Sequence, residues 1–148
     1  MNIVINMQNT QATLRKLTNL KYNEPLKNSG TYLEGSIGKR FRSGGGSQPW
    51  PALSPTTKRI HPRRAGGKPL NDTGQLKMSV TAKARKNISR NRLRYGWGSG
   101  VKYAAFQNFG GVTGWGTRVP ARPFLYVDTD DEKEIEKVFK EYIERQVR

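Results

Sequence analysis

The stretch from Val101 to Val127 constrains the fold most, because glycine and proline residues fix where its backbone is helical or extended. Apolar residues recur at helical spacing at its start and predict a short helix that ends at Gly110–Gly111, where a C-cap favours glycine. Pro120 and Pro123 then favour extended backbone, and the apolar run Phe124–Val127 predicts a short buried strand. The helix face is expected to include Val101, Ala104, Ala105 and Phe109, with the aromatic residues Tyr103, Phe106, Trp115, Phe124 and Tyr126 packed around it.

Other periodic segments predict further helices and a β-hairpin. Helices are expected from Asn9 or Thr10 to about Leu20, from Glu24–Pro25 towards Phe41, and onward from an N-cap at Asp128, Thr129 or Asp130. Alternating residues predict strands over about 78–85 and 92–97 with a loop at 86–91, and Ile3–Ile5 is a candidate opening strand. The chain of 148 residues is therefore predicted to be one α+β domain, a small antiparallel or mixed sheet packed against helices, with a C-terminal amphipathic helix.

Residues 43–68 interrupt this regular pattern. They are rich in glycine, proline, serine and basic residues, and a loop of this length is functional or disordered. Trp50 is the expected anchor, and Ser54–Pro55 is a candidate start for one helical turn. We expect an extended loop or arm at about 43–70, which we call the basic arm.

The charge of the chain is large and unevenly placed. The net charge is +16, yet residues 128–148 contain 8 of the 11 acids against 5 bases. Residues 1–127 hold the other 3 acids against 22 bases, a net charge of +19. A field of this strength favours a polyanion or an acidic protein surface as partner, while the alternative is that the basic residues only keep a small protein soluble.

The sequence lacks the residue patterns of an enzyme. His61 is the only histidine, and no carboxylate lies close to it in sequence. The absence of cysteine excludes disulfides and thiolate metal sites. The run Gly35–Arg40 resembles a phosphate-binding loop but lacks the required spacing and the Ser or Thr after lysine. We therefore expect no catalysis, cofactor or metal, and the sequence shows no apolar run long enough to span a membrane.

Four pieces of the sequence carry a family resemblance. They are Trp50–Thr57, Pro69–Val80, Tyr103–Gly111 with Asn108 between its ends, and Pro120–Leu125. In order and spacing they resemble the signature of the phage virion morphogenesis, or tail completion, family, to which the G protein of phage Mu belongs. The resemblance covers about residues 41–127. One departure is Phe106–Gln107, where relatives often carry a histidine before the glutamine or asparagine.

The resemblance implies a structural role in a virion. Proteins of this kind complete tails or join heads to tails, and similar families commonly assemble as hexameric rings. The implied partners are copies of the same chain, neighbouring head-completion or connector proteins, tail-tube or terminator proteins, and packaged DNA. The implied location is the neck or upper tail of a particle, with the protein made in the host cytoplasm.

Two functions from different classes stay open at this stage, ring assembly and sequence-independent binding of nucleic acid. The charge alone supports the second, since several phosphate contacts would give salt-dependent affinity, although no nucleic-acid-binding motif is present. The candidate interface residues are Trp50, Lys58, Arg59, Arg63, Arg64, Arg118, Arg122, Glu136 and Glu144.

Overall fold

The computed structural model describes residues 7–148, with side chains from residue 11 on. Within this range the chain forms six α-helices, one 3₁₀ turn and two antiparallel strand pairs, so the predicted α+β class with a C-terminal helix is confirmed. The elements are α1 Met7–Thr18, α2 Asn23–Ser43, α3 Pro55–Ile60, a 3₁₀ turn Pro62–Arg64, α4 Gln75–Val80, β1 Arg85–Ser89, β2 Arg92–Gly96, α5 Ala104–Phe109, β3 Gly111–Val112, β4 Arg118–Val119 and α6 Thr129–Val147. The candidate strand Ile3–Ile5 lies outside the described residues.

The core is built on one face of α2. Ile37 and Phe41 lie one turn apart on this helix and are buried. The Phe41 ring lies 5.2 Å from the Trp50 ring and 5.7 Å from the Phe124 ring, measured between centroids. Leu76, Val80, Val101 and Ala104 complete the buried cluster. The core therefore joins α2 to the nearby Trp50 and to three segments that are distant from it in sequence.

Helix α2 divides the molecule, because its opposite faces hold different elements. The hydroxyls of Tyr32 and Ser36 donate to Asp131 at the start of α6. Gly30 and Glu34 face the strand pair β1–β2, where Leu93 lies 3.4 Å from the place a Cβ on Gly30 would take. These two pairs of positions are offset by two residues, a rotation of about 200° on a helix. Helix α6 and the strand pair are thus held apart on nearly opposite sides of α2.

The strand predicted over 78–85 is wrong except at its last residue, Arg85, where β1 begins. Residues 75–80 form helix α4, in which Leu76, Ser79 and Val80 are buried at positions i, i+3 and i+4. Met78, Val80 and Ala82 also alternate, and so short an apolar run fits both periods. The helix forms because it buries Leu76, Ser79 and Val80 together against α2.

The hairpin loop predicted over 86–91 is also wrong. Strand β1 continues to Ser89, which pairs with Arg92, so the connection has only two residues. Both of them, Arg90 and Asn91, have positive φ (49° and 59°). Turns of this kind match the twist of the paired strands, which explains how a loop without glycine closes the hairpin.

The segment Phe124–Val127 is not a strand, although Phe124 is fully buried as predicted. Its backbone N–H groups at 124 and 125 both donate to Asn108 Oδ1, each at 3.0 Å. Its carbonyl groups at 124 and 126 accept from the Arg40 guanidinium. Side chains take the place of a neighbouring strand, since buried backbone polar groups need partners of some kind.

A buried ion pair connects α2 to the start of α6. Arg40 donates to the carboxylate of Asp131, and both side chains are buried. The Arg40 guanidinium also lies over the Tyr126 ring, 3.7 Å from its centroid. Tyr32 donates to the same carboxylate at 3.1 Å, and desolvation followed by this hydrogen bond raises the pKa of Tyr32 to about 12. Both charged groups of the pair therefore have further hydrogen-bonding or aromatic partners.

The predicted N-terminus of α6 is confirmed. Asp128 Oδ1 accepts from the Asp131 N–H at 2.9 Å, and Asp131 Oδ2 accepts from the Asp128 N–H at 3.1 Å. This reciprocal capping box satisfies two backbone donors. The hydrogen bond from the Asp131 N–H is the main cause that lowers the pKa of Asp128. Asp131 thus serves the helix cap and the buried ion pair together.

Replacing Asp131 with alanine is predicted to destabilise the fold strongly. The change leaves a buried guanidinium without its counter-ion, which costs about 3–5 kcal/mol in comparable buried pairs. Urea denaturation should show this loss in the free energy of unfolding. The matched control is Asp130→Ala, one residue away, whose side chain is 91% exposed; it should cost under about 1 kcal/mol. Equal losses for the two variants would contradict the structural role of the pair.

Candidate interaction surfaces

Two of the nine candidate interface residues, Trp50 and Arg122, are buried within the subunit. Trp50 Nε1 donates to the Pro123 carbonyl at 2.6 Å. Arg122 Nε donates to the Pro51 carbonyl at 2.9 Å, and its Nη2 donates to the Ala52 carbonyl at 3.0 Å. Burial lowers the pKa of Arg122. These two side chains fasten the start of the basic arm to residues 122–123. They are therefore not exposed on the surface of the chain.

Four other candidates lie on the basic arm. Lys58 and Arg59 are exposed on α3, a short helix with no buried residue, which Ser54 caps by accepting from the Thr57 N–H at 3.1 Å. Arg63 and Arg64 both pair with the carboxylate of Asp72, at 3.1 Å and 2.6 Å.

The pairing with Asp72 folds the arm back on itself. Desolvation raises the pKa of Asp72, but the hydrogen bonds and charges of Arg64 and Arg63 together outweigh it and lower the pKa below its ordinary value. Because Asp72 is one of only three acids in residues 1–127, most of the positive charge on the arm has no acidic neighbour in sequence. The arm therefore presents a basic surface, and one carboxylate holds Arg63 and Arg64 in place within it.

A groove separates the basic arm from the body of the subunit. Its cavity volume is about 770 Å³. The arm and the start of α4 supply one wall, and α5 with the end of β4 supplies the other. Apolar groups in the walls include Leu53, Leu70, Tyr103 and Val119, with Arg63, Arg64 and Lys68 among the basic ones. Gln107 also lines the groove, and its Oε1 atom is buried and accepts no hydrogen bond within the described residues.

A second hairpin, formed by β3 and β4, carries the most exposed aromatic side chain. We call residues 111–119 the Trp115 hairpin, since Trp115 at its tip is 96% exposed. Phe109 and Val112, which lead into it, are 72% and 60% exposed. The expectations that Trp115 packs with the other aromatic residues and that Phe109 lies on a buried helix face are therefore wrong. The candidate Arg118 lies on β4 of this hairpin and is exposed.

The strand pair β1–β2, residues 85–96, forms a basic ribbon. In its register Arg85, Asn87 and Ser89 share a face with Arg94 and Arg92. All five are exposed, and no ion pair to the three arginines occurs among the described residues. The other face packs on α2 and α4, where Tyr95 donates to the Val80 carbonyl at 2.7 Å. The outer face of this hairpin is therefore basic.

The candidates Glu136 and Glu144 are exposed on α6. The outer surface of this helix is less acidic than the sequence indicated, because Asp131 is buried against Arg40. Lys133, Lys137 and Lys140 are also exposed there and interleave with the acids. The buried stripe of the helix faces Tyr22, whose ring lies 6.2 Å from Phe139, and Tyr142 donates to the Lys21 carbonyl at 2.6 Å.

The described residues contain no cluster of histidine, cysteine or carboxylate groups that would hold a metal ion. Within the same range, every helix is too short or too polar to cross a bilayer. The surfaces that do stand out are the groove, the Trp115 hairpin, the basic ribbon and the exposed face of α6. Sequence patterns did not reveal the groove. The only sign of the hairpin tip in the sequence was a tryptophan between two glycines, which are compatible with a tight turn.

Comparison with known proteins gives one consistent result. The sequence profile described as the phage virion morphogenesis family matches residues 5–144. The chain is 31% identical over 144 residues to Mu-like prophage FluMu G protein 2 of Haemophilus influenzae, covering 94% of this chain and 92% of that protein. No solved structure shows a significant match. Because the profile spans nearly the whole chain and the relative is matched from end to end, the chain belongs to the phage virion morphogenesis family.

Proposed function

We propose that this protein is a structural component of a tailed phage or prophage particle that completes the tail or joins it to the head. In this role it assembles as a ring, with six copies as the family resemblance implies, at the neck or upper tail. The observation that carries the proposal is the Trp115 hairpin. A subunit that exposes Trp115 almost completely, with Phe109 and Val112 beside it in sequence, presents an apolar surface that favours a protein partner.

Ring formation fits the way the surfaces are distributed. The tip of the Trp115 hairpin, the groove, the basic ribbon and α6 are different surfaces, so a contact between any two of them joins unlike patches of neighbouring copies. Such heterologous contacts generate rings when their rotation closes. The partners on the two faces of the ring would be head-completion or connector proteins on one side and tail-tube or terminator proteins on the other.

Charge supports the same arrangement. Since α2 holds α6 and the basic ribbon on nearly opposite sides, exposed acids of α6 cannot neutralise Arg92 and Arg94 within one subunit. A neighbouring copy can bring Glu136 and Glu144 to that ribbon. Exposed charge pairs contribute only about 0–1 kcal/mol each, so these contacts would steer and align the copies, with apolar contacts supplying most of the affinity.

Deletion of the gene in the phage or prophage that encodes this chain tests the proposal directly. The expected result is the loss of infectious particles, with heads and tails that fail to join, and restoration by the gene supplied in trans. Chemical cross-linking of purified particles should place the protein beside connector or tail-tube proteins. Infectious particles that lack the protein would contradict the proposed function.

Reversing charge on α6 tests the proposed steering contact. Glu136→Lys with Glu144→Lys should weaken self-association roughly tenfold at low salt, because two attractive pairs become repulsive. The effect should fade as the Debye length falls from about 10 Å to about 3 Å. Sedimentation over a concentration series measures it, with circular dichroism to verify folding.

Two further variants make this test specific. Lys133→Glu with Lys137→Glu alters the same helix with the opposite sign and should not weaken association. Adding Arg92→Glu with Arg94→Glu to the glutamate reversals should restore it, because the pairs are then attractive again. Normal association of the glutamate reversals at every salt concentration would show that α6 is a solvated outer face.

The basic ribbon favours a second candidate function, contact with nucleic acid. Its outer face presents Arg85, Arg92 and Arg94 without an acidic partner among the described residues, which suits a phosphate backbone. In the ring, this partner would be the packaged DNA in the channel. As an independent protein, the chain would instead bind nucleic acid without sequence preference.

The salt dependence of DNA binding measures this contact. If the ribbon neutralises phosphates, Arg92→Ala with Arg94→Ala should reduce the slope of log affinity against log salt by about 2, close to one for each lost contact. Fluorescence anisotropy with a labelled duplex provides the slopes. The control Lys133→Ala with Lys137→Ala removes the same charge from α6 and should leave the slope unchanged. Equal slopes for all three proteins would exclude the ribbon as the binding surface.

A further inference from the structure

The Trp115 hairpin holds its tryptophan in a defined position. The Thr113 N–H donates to the Thr117 carbonyl at 2.9 Å, and the Gly116 N–H donates to the Thr113 carbonyl at the same distance. The Thr117 N–H also donates to Thr113 Oγ1 at 3.1 Å. Three hydrogen bonds thus close the turn around an indole ring that touches almost nothing in its own subunit. A residue whose backbone is already ordered loses less conformational entropy when its aromatic side chain docks into a pocket.

The groove beside the basic arm has the properties of a receptor for such a group. Its volume of about 770 Å³ falls within the range of sites that bury small ligands. Leu53, Leu70 and Leu76 provide apolar contact on one wall, and Tyr103 on the other. The groove is therefore large enough and apolar enough to take one indole ring together with part of a hairpin tip.

The polar groups of the two surfaces are complementary. An indole offers one N–H donor and no acceptor, and Trp115 is too exposed to have a partner in the described subunit. Gln107 lines the groove, and its Oε1 atom is a buried acceptor without a donor, which would face the groove only after the side chain turns. Arg63 and Arg64 also line the groove, and guanidinium groups favour the faces of tryptophan rings. One docked indole would satisfy both groups that the isolated subunit leaves unpaired.

A subunit does not fill its own groove with the indole of this hairpin. Thr117 to Pro120, which form the second half and the base of the hairpin, already line the groove. The Arg122 N–H donates to the Gln107 carbonyl at 2.9 Å and fixes that base. Trp115, two residues before Thr117, does not line the groove and is 96% exposed. Its indole leaves the groove beside it unfilled, so the occupant that we consider is the same indole of another copy.

We propose that the Trp115 hairpin of one copy inserts its indole into the groove between the basic arm and α5 of the next copy. Trp115 is the anchor of the subunit contact, and its N–H donates to Gln107 Oε1 once that side chain turns into the groove. This inference rests on the proposed ring assembly and identifies the two surfaces that meet in it. The contact is heterologous, because each copy offers one hairpin and one groove.

Two single variants test the two sides of the proposed contact separately, one removing the indole and the other filling the groove. Trp115→Ala removes the indole and leaves the groove intact. Gly67→Phe fills the groove and leaves the hairpin intact; Gly67 lines the groove, its φ is not positive, and an added Cβ would meet only the Arg64 carbonyl at 3.6 Å. Each variant should weaken self-association at least about 30-fold, as expected for an interface anchor. Val127→Ala trims a half-exposed apolar side chain elsewhere and should change association less than threefold, about 0.6 kcal/mol.

Mixing the two variants gives the decisive measurement. The Gly67→Phe copy still has a hairpin and the Trp115→Ala copy still has a groove, so an equimolar mixture should form one-to-one dimers that grow no further. Sedimentation and mass photometry distinguish these dimers from rings and monomers. Unchanged association of Trp115→Ala would overturn the proposal. Weak association of each variant without dimers in the mixture would also overturn it, because Trp115 would then dock on a different surface.

A disulfide test in particles separates this inference from the proposed function. The chain has no cysteine, so an introduced pair reports one contact. Gly114→Cys with Gly67→Cys should form covalent links between copies on mild oxidation, whereas Gly114→Cys with Gly35→Cys, on exposed α2 backbone, should not. Particles that contain a ring of this chain without 114–67 links would overturn the inference and leave the function standing. Particles without the chain would overturn both.

Discussion

The buried pair of Arg40 and Asp131 is the interaction on which most of the described fold depends. Arg40 lies on α2, donates to carbonyls of the extended segment at 124 and 126, and stacks on Tyr126. Asp131 lies at the start of α6 and closes its capping box. Taking two charges out of water is costly, and the cost is offset only because nearly every remaining hydrogen-bonding position is occupied. The network therefore fixes the positions of α2, residues 124–126 and the start of α6 relative to one another.

The same network determines what is left for the surface. By burying Asp131, the fold withdraws one of the few acids from a strongly basic chain and leaves lysines interleaved with acids on the outside of α6. Arg40 and Asn108 together occupy backbone hydrogen-bonding positions of Phe124 that a neighbouring strand would otherwise use. The β3–β4 pair forms a separate two-stranded sheet, and Trp115 in its turn is exposed.

Local sequence signals predicted α2 and α6 well. In α6 the cap at Asp128 and the stripe of apolar residues lie within one element, so no distant contact is needed to recognise them. Local sequence signals failed for α4, because Met78 and Val80 in a run of six residues fit a strand and a helix alike. The burial of Phe124 was predicted correctly, and its strand conformation was not, since the partners of its backbone are Asn108 and Arg40.

The sequence by itself determined the family, the α+β class, the large positive charge and the long helices, because composition and local periodicity encode these properties directly. Only the tertiary structure decided which residues form surfaces. Trp50 was predicted both as an anchor and as an interface candidate and is buried as an anchor. Arg122 looked like a surface candidate and is buried too, while Trp115 looked like a core residue and is exposed. The physical reason is that an aromatic or arginine side chain gains from burial only where distant segments supply matching contacts. Those segments are brought together by the fold and cannot be read from neighbouring positions in the chain.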